Sequence, residues 1–232
     1  MDISEPKIKK EDILILNDDE FNTNNICIVS GSGTGIGRAT AIAASANKLM
    51  TIGLDVNEEE GKKTQRLARE MGGQMIFIKT DLTRDDEIEY AMEEAAKLGT
   101  IKYLANIAGI QHIDSVENFP MEKYDLMQRI MLRAPFYLSK LATPHMKNSS
   151  GGTGVIGNMA SVHAHICTVN KPVYNITKFG ANFAKIQKRF PNQKLMITGM
   201  NDGKHQKYGG IAYKNYIERI KKLGYIGSIF FK

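Results

Sequence analysis

Short apolar runs alternate with longer amphipathic segments from about residue 26 onward, and this alternation dominates the chain. The apolar runs predict buried strands at residues 26–30, 50–54, 75–79, 103–106, 155–159 and 194–198. The amphipathic segments predict helices at residues 35–48, 58–71, 84–98, 122–147 and 174–189, the fourth despite Pro135. Strands that alternate with helices in this way form βαβ units around a parallel sheet. Right-handed crossovers then give an α/β fold, with a doubly wound parallel sheet inside a three-layer, Rossmann-like sandwich.

The two ends of the chain depart from this alternation. Residues 1–25 are polar and acidic, and the apolar run at residues 13–16 predicts one short strand there. We interpret residues 1–25 as a polar arm and residues 26–232 as a single domain. Beyond residue 198, the pattern predicts a helix at residues 211–223 and an apolar last strand at residues 225–230.

The composition excludes several classes of protein. Hydrophobic residues make up 42% and charged residues 24% of the 232 residues, as in folded globular chains and unlike disordered or collagen-like ones. Cys27 and Cys167 are too few for a disulfide framework and indicate reduced thiols in the cytoplasm. His145, His165 and His205 lack partners at metal-ligand spacing, so we expect no metal. The apolar runs are too short to span a membrane, and the acidic N-terminal segment resembles neither a signal peptide nor a transit peptide.

Positive charge is concentrated near the C-terminus. The chain has a formal net charge of +6, and residues 178–232 contain 12 Lys and Arg against 2 Asp and Glu. A basic segment can bind nucleic acid or anionic ligands, or it can be a solvated surface. Because aromatic residues do not interleave with these charges as in nucleic-acid stacking motifs, we favour the solvated surface and expect neither a nucleic-acid nor a membrane partner.

A glycine-rich turn follows the first predicted strand. Its sequence places Gly31, Gly35 and Gly37 around Ile36, directly before a predicted helix. Glycine is needed where the backbone turns tightly or where a pyrophosphate approaches the main chain, and the helix N-terminus offers N–H groups to the phosphates. A purely structural turn would also use glycine, but the position between strand and helix favours nucleotide binding.

An acidic residue closes the second predicted strand. Asp55 comes about 20 residues after the glycine turn, where a carboxylate can accept both hydroxyls of an adenosine ribose. It would repel a 2′-phosphate, so it favours NAD over NADP, although Arg38 just past the turn weakens this preference. The alternative is that Asp55 caps the following helix.

A tyrosine and a lysine are spaced so that both would lie on the same face of a predicted helix. Tyr174 and Lys178 lie four residues apart, and Ser161 follows the strand predicted at residues 155–159. An ordinary tyrosine has a pKa near 10, but a nearby ammonium favours the phenolate and lowers that pKa. Tyr174 could then exchange a proton with an alcohol or ketone, while the Ser161 hydroxyl holds the reacting oxygen.

These motifs together resemble the short-chain dehydrogenase/reductase family. The resemblance runs from about residue 27 to residue 184 and includes two further segments, Asp81-Leu82 and Asn106-Ile107-Ala108-Gly109. It implies NAD as the cofactor, with Asp81 and Leu82 at the adenine. Asn106, Ala108 and Gly109 would lie beside the cofactor, where Asn106 braces the sheet, and Lys178 would also hold the nicotinamide ribose.

Near the expected substrate, the chain resembles one particular group within this family. The segments around residues 109–112, 118–120, 161–163 and 169–174 look like the D-3-hydroxybutyrate dehydrogenases of this family. That likeness implies a small hydroxy acid or keto acid as substrate, with Gln111, His163 and Lys171 binding its carboxylate beside Ser161 and Tyr174. Lys171 supplies a charge and the other two supply directional donors. His163 could instead be a polar loop residue. The family also implies a homodimer or homotetramer.

Three departures leave other functions open. Met131 stands where the family usually has an asparagine that fixes a relay water, and a thioether cannot replace that amide. Ile107 replaces a second asparagine, which we expect to matter little. Residues 199–203 contain no proline where the family has a Pro-Gly turn, and the remaining chain is short, so the C-terminal part is either rebuilt or decayed. The alternatives are a reductase of another carbonyl substrate, such as a 3-oxoacyl thioester, and a non-catalytic dinucleotide-binding protein.

Overall fold

The computed structural model describes residues 8–164, 167–180 and 193–196, with only the backbone for the last four. Its six strands form one parallel sheet in the order β3-β2-β1-β4-β5-β6. The strands are β1 Asn25–Ser30, β2 Met50–Asp55, β3 Met75–Lys79, β4 Thr100–Asn106, β5 Gly154–Asn158 and β6 Gln193–Met196. This strand order reverses direction between β1 and β4, so the predicted doubly wound parallel sheet is confirmed.

Helices cover both faces of the sheet. They are α1 Gly35–Ala46, α2 Glu58–Glu70, α3 Asp85–Ala96, α4 Met121–Gln128, α5 Ala134–Asn148 and α6 Pro172–Gly180. Successive residues of a strand point to opposite faces, and β1 shows the result. Ile26 and Ile28 pack in one core cluster with Leu138 of α5, whereas Val29 packs in the other with Ile42 of α1. The sheet is therefore buried on both sides, as a three-layer sandwich requires.

The long helix predicted at residues 122–147 is interrupted. Between α4 and α5, residues Arg129–Arg133 form a π-helical segment, called the π-turn below. Pro135 lacks an N–H group, so the carbonyl of Met131 loses the donor that an α-helix would supply four residues later. A π-turn directly before the proline accommodates this loss without ending the helix.

The described part of the N-terminal arm packs against the second core cluster through Ile8, Ile13 and Phe21, but the strand predicted at residues 13–16 does not form. The side chain of Asn47 occupies its backbone groups instead. Asn47 Oδ1 accepts a hydrogen bond from Leu16 N at 2.7 Å, and Asn47 Nδ2 donates to Leu14 O at 3.0 Å. Because these two backbone groups bond a side chain, they are not paired with a neighbouring strand.

The expected C-terminal elements are described only in part. The helix predicted at residues 174–189 begins at Pro172 and is described as far as Gly180, and the sixth strand is present at Gln193–Met196. The turn at residues 199–203, the helix at residues 211–223 and the strand at residues 225–230 lie outside the described residues.

Candidate active site

Glycines let the turn between β1 and α1 pack tightly. Gly31 has a φ of +72°, and a Cβ placed on it would be 2.7 Å from Ala108 Cα. A Cβ on Gly37 would overlap the carbonyl oxygen of Gly31. These two positions therefore exclude larger residues, because the turn lies directly on the loop that follows β4 and on its own helix.

The outer side of the same turn suits a phosphate group. Gly35 has a φ of +53°, and no atom of the described residues comes within 4 Å of the position a Cβ would take. Ile36 is 44% exposed. Among the described residues, the Thr34 side chain makes no capping hydrogen bond to the first turn of α1. Open space above helix N–H groups that no side chain caps fits the pyrophosphate of a dinucleotide.

Asp55 contacts the glycine turn directly. Its Oδ2 accepts a hydrogen bond from the backbone N–H of Gly33 at 2.8 Å, and its Oδ1 accepts one from Asn57 at 2.9 Å. The alternative role of a helix cap belongs to Asn57, whose Oδ1 accepts from Glu60 N at 3.1 Å. Asp55 therefore holds a half-buried carboxylate at the edge of the turn, where the ribose is expected.

A further segment, Asp81-Leu82, follows β3 at the same edge of the sheet. After β3, Asp81 Oδ1 accepts hydrogen bonds from the backbone N–H and hydroxyl of Thr83, at 2.9 and 2.8 Å. Leu82 is partly buried against the first core cluster. The carboxyl ends of parallel strands lie at one edge of the sheet, which is where both residues follow β3, and their role at the adenine stays a prediction.

The loop after β4 is fixed by polar residues that end neighbouring strands. Ser30 Oγ accepts hydrogen bonds from the backbone N–H groups of Ile107 and Ala108, at 3.1 and 3.3 Å. Asn106 Nδ2 donates to Asn158 Oδ1 at 2.9 Å and so connects β4 with β5. This contact is the one that a bracing role for Asn106 requires. Sequence analysis missed Ser30 and Asn158, although a polar residue that ends a buried strand is a usable signal.

Four of the residues predicted to act in catalysis or substrate binding lie together, two in the loop after β5 and two in α6. The Ser161 hydroxyl lies 3.1 Å from His163 Nδ1, and His163 N donates to the same hydroxyl at 3.2 Å. The rings of His163 and Tyr174 meet edge to face with centroids 5.4 Å apart. Lys178 Nζ lies 5.6 Å from the Tyr174 ring centroid and donates to Met159 O at 2.9 Å.

Burial changes the acid–base behaviour of this cluster. Desolvation lowers the pKa of Lys178 to about 8, so the ammonium form still predominates at neutral pH. Desolvation, together with the nearby charge of Lys171, lowers the pKa of His163 below its ordinary value. The cluster therefore combines a cationic lysine with a histidine that is mostly neutral at pH 7. The catalytic roles of Ser161, Tyr174 and Lys178 stay predictions.

The expected carboxylate-binding residues come from two loops that are joined. Lys171 directly precedes α6 and is half-buried, whereas Gln111 is exposed in the loop after β4. The backbone N–H of Asp114 in that loop donates to Asn170 O at 3.0 Å. This bond holds the two loops together beside Ser161 and Tyr174, although Gln111 itself is not brought into contact with the cluster.

Met131 lies within the π-turn and borders the cluster. It is 2% exposed and packs with Met127 and Val173. A Cβ placed on Gly109 would be 3.4 Å from the Met131 sulfur and 3.8 Å from Lys178 Nζ. The thioether and the ammonium therefore lie on the same side of Gly109, where a polar side chain could have reached toward the lysine.

The described residues contain no group of three His, Cys, Asp or Glu side chains placed to hold a metal ion. None of the described helices has the length and apolar character needed to cross a bilayer.

Comparisons with known proteins agree with this architecture. A family profile described as short chain dehydrogenase matches residues 25–189. The chain is 32% identical over 159 residues to a D-beta-hydroxybutyrate dehydrogenase of Cupriavidus necator, covering 68% of this chain and 60% of that one. It is 31% identical over 153 residues to an uncharacterized oxidoreductase of Thermotoga maritima, covering 66% and 60%. The chain thus spans about 60% of the length of these curated relatives.

A solved structure shares the fold. It is a metagenomic short-chain oxidoreductase in complex with NADP, with a TM-score of 0.73 and 20% sequence identity, covering 78% of this chain and 84% of that one. At this identity the likeness concerns the fold alone. The glycine turn, the strand order and the family profile lead to one conclusion: the chain belongs to the short-chain dehydrogenase family of oxidoreductases, which bind a nicotinamide dinucleotide.

Proposed function

We propose that this chain is an NAD-dependent oxidoreductase that interconverts a small hydroxy acid and its ketone, such as 3-hydroxybutyrate and acetoacetate. The observation that carries the proposal is the cluster of Ser161, His163, Tyr174 and Lys178 at the end of β5 and the start of α6. The cluster brings a hydroxyl, an imidazole, a phenol and an ammonium to one place. The relatives named D-beta-hydroxybutyrate dehydrogenase support the choice of substrate.

The chemistry divides between the cofactor and the chain. A bound nicotinamide would supply the hydride acceptor for the alcohol carbon, or the hydride donor for the ketone carbon. In the oxidative direction Tyr174 accepts the hydroxyl proton as the O–H and C–H bonds break and the C=O bond forms. Ser161 donates a hydrogen bond to the reacting oxygen, and Lys178 places a positive charge beside the Tyr174 ring. Lys178 also binds the nicotinamide ribose.

The substrate carboxylate is bound beside the reacting oxygen. Lys171 supplies the positive charge, and His163 and Gln111 supply directional hydrogen bonds. The position of His163 between Ser161 and Tyr174 supports this assignment, because a group bound there is one side chain away from both reacting residues. In a 3-hydroxy acid the carboxylate carbon is two carbons from the hydroxyl carbon, so the carboxylate could contact His163 while the hydroxyl contacts Ser161 and Tyr174.

The choice of NAD over NADP rests on Asp55. Its carboxylate contacts Gly33 N, so it lies where the adenosine ribose approaches the turn. A 2′-phosphate at that place would meet a like charge. Gly31, Gly35, Ile36 and Gly37 would hold the pyrophosphate.

The proposal is tested on the purified full chain. We expect NAD⁺ to raise the melting temperature more than NADP⁺ does, and D-3-hydroxybutyrate to reduce NAD⁺ in an absorbance assay. Consumption of NADPH with a 3-oxoacyl thioester, but no turnover of hydroxy acids, would replace the substrate class. Absence of stabilisation by either cofactor would refute the proposal.

A specific observation favours a second candidate, a dinucleotide-binding protein without catalytic activity. Met131 occupies a buried position beside Gly109 and Lys178, at the place where a proton relay to the lysine would need a fixed water. A thioether neither donates a hydrogen bond nor accepts one strongly. Binding of NAD⁺ without turnover of any hydroxy acid would favour this candidate.

The assembly and the location are part of the proposal. Phe136 of α5 is 51% exposed and Phe179 of α6 is 72% exposed, and Leu132 of the π-turn lies against Gly180, the neighbour of Phe179. Large exposed apolar side chains of this kind suit a homodimer or homotetramer. We place the protein in the cytoplasm because both cysteines, Cys27 and Cys167, are free thiols.

A further inference from the structure

We propose that Glu60 determines the cofactor preference together with Asp55, because it holds the guanidinium of Arg38 beneath the glycine turn and away from a 2′-phosphate. The inference rests on the proposed function in one respect, that the adenosine ribose lies beside Asp55. It assigns a role to two residues, Arg38 and Glu60, of which the proposed mechanism makes no use.

Arg38 is a buried cation in the first part of α1. It is 2% exposed, and its Nε donates a hydrogen bond to Thr64 Oγ1 at 3.0 Å. Its Nη2 donates to the carbonyl oxygen of Gly33 and to a carboxylate oxygen of Glu60. Glu60 lies in the first turn of α2, with 29% of its side chain exposed. The ion pair therefore joins α1 to α2 directly under the turn.

The same network reaches the residue that selects the ribose. The backbone N–H of Gly33 donates to Asp55 Oδ2 at 2.8 Å, while the carbonyl of Gly33 accepts from Arg38. Thr64 Oγ1 also lies 2.9 Å from Ser32 O, so α2 contacts two consecutive carbonyls of the turn. A single glycine thus separates the cation of Arg38 from the carboxylate of Asp55.

Removing the carboxylate of Glu60 would change what Arg38 can contact. A buried guanidinium that loses its carboxylate partner is strongly destabilised, and its long side chain can move to another anion. Bound NADP⁺ would bring its 2′-phosphate to the ribose site beside Asp55 as a new anion, and guanidinium binds phosphate in a bidentate way. In the unaltered chain, Glu60 prevents this contact and leaves Asp55 to repel the phosphate.

The test compares two neutral variants in the first turn of α2. Glu60→Gln removes the carboxylate charge that pairs with Arg38, and Glu59→Gln removes an equal charge from an exposed neighbouring position. Dissociation constants of NAD⁺ and NADP⁺ are measured by calorimetry on the full chain. We expect Glu60→Gln to shift the NADP⁺/NAD⁺ affinity ratio toward NADP⁺ about tenfold, the size of one charge-assisted contact, and Glu59→Gln to shift it less than about twofold.

The outcomes separate a selective role from a structural one. An equal loss of affinity for both cofactors in Glu60→Gln, or an equal shift in Glu59→Gln, would overturn the proposal. A parent chain that binds neither cofactor would instead refute the proposed function.

A second substitution identifies the cation responsible. Lys63 Nζ lies 3.6 Å from the same Glu60 oxygen, so it too loses a partner in Glu60→Gln. We expect Lys63→Met, added to Glu60→Gln, to keep the shift toward NADP⁺, and Arg38→Met to abolish it. Loss of the shift with Lys63→Met would overturn the role of Arg38. The double variant with Lys63→Met therefore tests the role of Arg38 even if Arg38→Met does not fold.

Discussion

Replacing Lys178 by methionine should make the stability of the fold less dependent on pH. Lys178 is 4% exposed, and burial lowers its pKa from 10.5 to about 8. The unfolded chain therefore binds more protons than the folded one between pH 8 and pH 10.5, and in that window the free energy of unfolding rises with pH. Below pH 8 the folded state bears the full cost of a buried ammonium.

The size of the effect follows from the shift. Each unit of pKa difference corresponds to about 1.4 kcal/mol, so the buried charge costs roughly 3 kcal/mol at pH 7. Between pH 7 and pH 10 we expect the stability advantage of Lys178→Met over the parent chain to fall by about 2.5 kcal/mol. Because methionine is similar in length and apolar, it keeps most of the packing of the lysine stem.

The measurement is urea denaturation at several pH values from 7 to 10, without cofactor. Lys123→Met on α4 is the matched control, since that lysine is exposed and its replacement removes a charge without affecting a buried site. A stability difference between Lys178→Met and the parent that stays constant with pH would refute the reasoning. It would mean that the ammonium is solvated in the folded chain.

Three further predictions concern catalysis and cofactor choice. Tyr174→Phe should lower turnover at least about a hundredfold while NAD⁺ affinity stays within about twofold, because it removes only the proton-exchanging hydroxyl. Retained turnover in Tyr174→Phe would mean that another residue exchanges the proton. Asp55→Ala should narrow the gap between the NAD⁺ and NADP⁺ dissociation constants, and equal constants in the parent chain would contradict the assignment. Met131→Asn should raise turnover and change its pH profile, at a cost on the order of 1 kcal/mol in thermal stability if the amide stays unpaired. No gain, with NAD⁺ still bound, would favour the non-catalytic candidate.

The features that sequence could predict depend on local pattern and spacing. The alternation of apolar runs and amphipathic segments gave the parallel sheet, because a strand buried on both faces must be apolar throughout. The spacing of Gly31, Gly35 and Gly37 predicted the turn. At Gly31 and Gly37 the close contacts in the structure leave no room for a larger residue. The four-residue spacing of Tyr174 and Lys178 placed both on one face of α6.

The features that sequence missed depend on which partner a side chain finds in space. Arg38 looked like a residue that blurs the cofactor preference, but its direction is set by Glu60 and Thr64 on another helix. The apolar run at residues 13–16 predicted a strand, but the Asn47 side chain occupies its backbone groups. No local pattern contains these contacts, because each joins segments more than twenty residues apart.

The π-turn also changes the direction in which the side chains that follow it point from the helix axis. Each α-helical residue advances by about 100°, whereas a π-turn holds one residue more per turn and so rotates everything after it. Before the turn, Met127 faces the cluster that includes Val173 of α6. After it, Leu138 and Met146 face the sheet. Removing a single residue within the π-turn would let it close to a regular α-turn and leave the side chains of α5 facing as they do, whereas the same deletion elsewhere in the helix would rotate the residues after it by about 100°.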